Sequence, residues 1–175
     1  KDIMFEGNGY SREWEAEAES RGLRPIKNVP EAYEVYHEAA TISMFDRLNV
    51  LAPNEIEARF EIFNETYVKK LQIEARVIGD MCLNHVIPAA VKYQNILIEN
   101  VKGMKELFSD DSYDLCSSEI DTLKKISLYI NRISADVEAL VEARKKANRI
   151  EDIAQRAKVY SYEVKTMMDK VRDSA

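Results

Sequence analysis

Glu34-Val35-Tyr36-His37 sets a carboxylate and an imidazole three residues apart, the spacing at which one helical turn offers both to a metal ion. A di-iron centre in a helical bundle needs two such Glu-x-x-His pairs and a further Glu from each of two other helices. The only other histidine is His85, and the residue three before it is Cys82. The second pair is missing, so a symmetric di-metal centre cannot be built, and His37 is expected to be an ordinary helix residue near an interface. Cys82-x-x-His85 could present two soft ligands on one face for zinc, with His37 as a third. The paired Cys spacing of most zinc sites is absent, however, and nothing supports the two histidines as axial haem ligands. Packing is therefore the expected role of His37, Cys82 and His85. Gly7-Asn8-Gly9 lacks the third glycine, the preceding strand and the Lys-Ser/Thr of a phosphate-binding loop. Two histidines among many acids spell no legible Ser-His-Asp set. The expectation is that no catalytic, cofactor-binding or metal-binding residue lies in this chain.

The elements that carry these residues are helical. A chain of 175 residues, 46% hydrophobic and 32% charged, is long enough for one compact domain with its own core. Five glycines and four prolines are too few for an all-β or loop-rich chain, and neither type occurs after Gly103. The nine tyrosines and five phenylalanines fall mostly on helical stripes, where core packing is the default. A net charge of −6 without a long basic run excludes a nucleic-acid footprint. The densest cations, Arg144, Lys145, Lys146 and Arg149, sit at an expected helix end, where they suit the macrodipole. Two cysteines make no disulfide framework, and Cys82 reads as a buried reduced thiol. No apolar run reaches the ~20 residues of a membrane span and no signal peptide opens the chain, so a cytoplasmic location is expected.

Ser11 should cap a short helix stopped by Gly22, with Tyr10, Trp14 and Ala18 on one face and Glu17 paired to Arg21. Pro30 should start a second helix running to about Leu48, apolar on two faces and hence central. Pro53 should open a long third helix, with Ala52 a poor N-cap. Ile56, Phe60, Phe63, Tyr67 and Leu71 track one face, and Val77, Met81 and His85 are expected to continue it. Pro88 should kink this helix without ending it, because Val91 to Phe108 stays periodic. Ser109-Asp110-Asp111-Ser112 reads as a loop. Two helices follow: Ile120 to Leu140 step by three or four, and Ile150, Ile153, Ala157, Tyr160, Val164, Met167 and Val171 form a heptad seam. The fold expected is all-α, an up-and-down antiparallel bundle with one helix kinked at Pro88 and a short N-terminal helix. Residues 1–29 are a lead-in and 30–175 the bundle, one domain overall.

Residues 55–89 also carry a family likeness. Glu55, Arg59, Glu61, Ile62, Glu65, Tyr67, Ile73, Glu74, Ala75, Asp80, Met81, Ile87, Pro88 and Ala89 stand in the order of the C-terminal helical region of type III glutamine synthetases, with Phe60 where a Tyr is expected. Phe5-Glu-Gly-Asn-Gly-Tyr-Ser-Arg-Glu-Trp14 and Ala18-Glu-Ser-Arg-Gly-Leu23 resemble the segment that follows the catalytic domain in that family. The resemblance is firm over about residues 4–107 and only positional beyond.

The resemblance implies a parent enzyme that joins ammonia to glutamate at the expense of ATP with Mg or Mn, on a β-rich catalytic domain whose motifs do not occur here. It implies a large ring-shaped homo-oligomer. For this chain it implies a structural and oligomerisation role, with the catalytic domain of the same chain and neighbouring subunits as partners. The start at Lys1 without Met suggests an excised domain or processed fragment. An independent interaction or adaptor module is the leading alternative, and a metal- or haem-binding bundle the next.

Overall fold

A computed structural model describes residues 4–108 and 112–175. The described residues are helices and their connections, with no strand among them, so the chain is all-α. They divide into two compact units, Lys1–Phe63 and Asn64–Ala175.

In the first unit, α1 (Arg12–Ser20) starts where Ser11 accepts a hydrogen bond from the Trp14 N–H at 3.2 Å. It stops at Gly22, whose φ of +72° lets the Leu23 N–H fold back onto the Ala18 carbonyl. Both ends agree with the local signals, and Arg21 pairs with Glu17. Ala18 is buried and Trp14 packs on Phe5, whereas Tyr10 is almost fully exposed and takes no part in the row expected of it.

The expected continuous second helix is instead three pieces. These are α2 (Val29–Tyr33), a 3₁₀ turn over Glu34–His37, and α3 (Ala39–Arg47), with Glu38 extended between them. The tight turn has a physical reason. At three residues per turn Tyr33 and Tyr36 line up and both reach Phe63, with ring centroids at 5.3 and 5.6 Å. Nor is this segment central: α3 buries no residue, and Met44 and Leu48 are exposed. Asn49, at φ 51°, ends α3 in the left-handed conformation that Asn tolerates.

Helix α4 (Pro53–Met81) begins at the expected proline in the first unit and continues into the second. Ala52 has no capping side chain, but the Glu55 carboxylate accepts its backbone N–H at 2.7 Å, half of a capping box. A wide π turn, Cys82–Val86, joins α4 to α5 (Ile87–Phe108), making one continuous 56-residue helical run. The run passes through Pro88 without a loop. Its departure from α geometry lies just ahead of the proline, where the Ile87 N–H reaches the Cys82 carbonyl five residues back. Pro88 has no N–H for the Asn84 carbonyl, so a break in the regular ladder is concentrated here.

The buried row of α4 leaves the expected one after Leu71. It passes through Ala75, Gly79 and Cys82, while Val77, Met81 and His85 face solvent. These small residues let α7 (Ser117–Ala147) approach: a Cβ placed on Gly79 would stand 3.5 Å from Val137. Between α5 and α7 in the chain comes α6 (Ser112–Leu115), so Ser112 is helical; the rest of the expected loop, 109–111, lies outside the described residues.

Asp152 caps α8 (Ile153–Val159), which continues through a second π turn, Tyr160–Val164, into α9 (Lys165–Ser174). The seam expected here is buried at Ala157, Tyr160, Val164 and Val171. Lys146 bonds Glu163 and Asp136 bonds Ser174, so α7 and this last helical run lie antiparallel. Gly79 beside Val137 and Gln94 bonded to Ser127 give the same sense for the long helix against α7. The core of the second unit is the shared cluster of Val68, Leu71, Cys82, Val137, Leu140 and Tyr160 with their neighbours. At ~25 cal/mol per Å² of apolar surface buried, such side chains contribute about 1.5–3 kcal/mol each.

Candidate functional site

The 3₁₀ turn fixes where His37 points. Its ring lies against Phe60, centroids 3.8 Å apart, and Nε2 is 3.0 Å from a Glu57 carboxylate oxygen. Glu34 is on the same short turn instead of an α-helix, so the spacing that suggested a ligand pair is not realised in that form. Cys82 and His85 share the π turn and diverge: the thiol is buried in the core, the imidazole exposed. Burial pushes the Cys82 thiol up from its ordinary pKa. Among the described residues no group of three or more His, Cys, Asp or Glu side chains is placed to hold a metal ion. The donor set among the described residues does not fit a divalent metal ion.

The concave places lined by described residues are shallow. One, between α4 and the α7–α8 connection, is lined by Glu65, Lys69, Gln72, Asn148 and Arg156. Lys69 holds the Glu65 carboxyl below the usual range, by a 2.9 Å hydrogen bond first and by its charge second. Arg156 is turned to the Ile150 carbonyl at 2.7 Å, so the guanidinium ties α8 to the connection that precedes it. No nucleophile stands beside a base there.

What stands out instead is a surface. Helix α5 buries none of its residues completely. One of its rows, including Ala90, Gln94, Leu97, Val101 and Met104, is half-buried, and Gln94 bonds α7. A second row, Ala89, Tyr93, Ile96, Asn100, Gly103 and Leu107, steps 4-3-4-3-4 along the adjacent flank. Tyr93, Ile96 and Leu107 in it are 51%, 65% and 76% exposed. A helix with two such rows is built to pack on two neighbours. The period of residues 91–108 was legible in the sequence, and the heptad spacing of this second row was the signal for it.

Comparison with known proteins places this geometry. A sequence model described as Glutamine synthetase C-terminal domain matches residues 1–105. A glutamine synthetase of Bacteroides fragilis (strain YCH46) is 40% identical over 98% of this chain and 24% of its own. One from Butyrivibrio fibrisolvens is 29% identical over 100% of this chain and 25% of its own. A type-3 glutamine synthetase of Dictyostelium discoideum is 32% identical over 82% of this chain and 19% of its own. The chain thus spans a quarter or less of the relatives it matches.

Proposed function

The chain belongs to the glutamine synthetase family as its C-terminal domain, of the type III kind, and from that membership we propose that it braces the catalytic part of an ATP-dependent glutamate–ammonia ligase and contributes to subunit assembly. One observation carries the reading: this chain aligns over nearly its whole length with relatives of which it covers only 24% and 25%. The chemistry, with its ATP and Mg or Mn, is assigned to that remainder. When bound there, the metal and nucleotide supply activation of the glutamate carboxylate for attack by ammonia. The residues of this chain hold no step of that reaction. Its two units act within one C-terminal domain, with 1–29 as the lead-in to the helices of 30–175.

The partners proposed are the catalytic part of the same chain and neighbouring subunits of a homo-oligomer. No helix among the described residues is long and apolar enough to cross a membrane, which accords with a cytoplasmic enzyme. The test has two arms. Isothermal titration of this chain with ATP should show no saturable binding, and chelator should leave its melting temperature unchanged; saturable ATP binding, or a bound metal whose removal lowers that temperature, would overturn the reading. In a full-length enzyme carrying this domain, its deletion should dissociate the oligomer in sedimentation velocity.

A further inference from the structure

We propose that the exposed row of α5 is a homotypic docking seam, on which a second copy of this chain packs antiparallel about a two-fold axis. The proposal deepens the assembly role above and rests on it, because it names the surface and its occupant.

The row is self-complementary in one direction only. Turned antiparallel about an axis between Ile96 and Asn100, Ala89 meets Leu107 of the copy, Tyr93 meets Gly103, and Ile96 meets Asn100. Each large side chain then faces a smaller or polar one, so knobs find space. In the parallel sense Tyr93 meets Tyr93 and Gly103 meets Gly103, which leaves crowding at one level and a gap at another.

The outer flank adds a charge argument. Lys92, Glu99 and Glu106 recur every seven residues beside the row, basic towards the start of α5 and acidic towards its end. Antiparallel pairing sets Lys92 against Glu106 of the copy twice over, by symmetry. Glu99 falls near the axis and is already neutralised by Lys102 at 3.2 Å. Among the described residues no ion pair is recorded for Lys92 or Glu106 within the chain. Flanking charges of this kind set orientation in helix pairs.

The area is adequate. An aromatic side chain of 150–250 Å² left half exposed offers roughly 100 Å², and the more fully exposed Ile96 and Leu107 about as much each. Tyr93, Ile96 and Leu107, with the smaller members of the row and with Tyr129 beside Ala90 in the groove between α5 and α7, bring each copy to roughly 500 Å². Two copies then bury about 1,000 Å², the lower end for a specific interface, and a reversible dimer follows.

Sedimentation velocity of the 175-residue chain over a micromolar dilution series tests this. The expected result is a concentration-dependent monomer–dimer equilibrium. Ile96→Glu should give monomer with unchanged circular dichroism, since Ile96 is 65% exposed and its loss does not disturb the fold. Lys92→Glu should raise the dimer Kd about tenfold at low salt, and Lys92→Glu combined with Glu106→Lys should restore it. A chain that stays monomeric, a dimer that survives Ile96→Glu, or a charge swap that fails to restore pairing would each overturn the antiparallel seam. Monomer in this assay would leave the proposed bracing role standing, because that role is read from the full-length enzyme.

Discussion

The phenol of Tyr160 donates to the side-chain oxygen of Asn148 at 2.7 Å, tying a fully buried residue of the second π turn to the connection between α7 and α8. Asn148 is the C-cap of α7, so one bond secures a helix end and anchors the last helical run.

Removing either partner should therefore be costly. Asn148→Ala is expected to lower unfolding stability by about 1–2 kcal/mol, because the buried Tyr160 hydroxyl loses its partner, and Tyr160→Phe by about 0.5–1.5 kcal/mol, because the exposed Asn148 it leaves can turn to water. In a double-mutant cycle by urea denaturation the double variant should cost clearly less than the sum of the singles.

Alkaline pH should act on the same core. Burial is the largest cause raising the Tyr160 phenol, against the opposing charges of Arg144, Arg156 and Arg76 and the Asn148 hydrogen bond, and burial alone raises the Cys82 thiol. The folded state then holds both protons more tightly than the unfolded chain. Their contribution is complete below the unfolded thiol's pKa of about 8.5 and is lost as pH rises, first for Cys82 and then, above about 10, for Tyr160. The urea midpoint should fall from about pH 8 to about pH 11, and less steeply in Cys82→Ala combined with Tyr160→Phe.

Gly79 separates two mechanisms cleanly. A Cβ there would sit at ordinary contact distance from Val137, so Gly79→Ala should stabilise by about 0.5–1 kcal/mol through helix propensity. Gly79→Leu should instead force α4 and α7 apart and destabilise by about 1–3 kcal/mol. Thermal unfolding of the two variants should move in opposite directions.

Pro88 is exposed in a continuous helix, so its ring contributes little packing while its missing N–H breaks the ladder. Pro88→Ala should raise the stability of this chain, by up to about 3 kcal/mol, and calorimetry should read a higher melting temperature. A lower one would mean that the π turn and proline are jointly required by the core around Cys82.

Caps and breakers were readable residue by residue, since they depend on a few neighbours in the chain. Ser11 caps α1, Gly22 stops it and Pro53 opens α4, as local chemistry requires. The seam from Ile153 to Val171 was equally legible, because its buried members all join one core cluster. The family likeness over the first hundred residues was also in the sequence, and the matched span of 1–105 agrees with it.

Which face a neighbour covers was not local. The row beginning at Ile56 was continued to Val77, Met81 and His85 on spacing alone, yet a straight helix drifts ~20° per heptad against any fixed 4-3 step. Over a run of 56 residues that drift, together with the close approach of Val137 to Gly79, moved burial onto Ala75 and Cys82. The second helix looked continuous because no breaker interrupts Pro30 to Leu48. Packing decided otherwise: Phe63 contacts both Tyr33 and Tyr36, which the three-residue turn brings into one column. Periodicity states which residues share a face; only contact with a second element determines which of several apolar faces is buried and which, like that of α5, stays open.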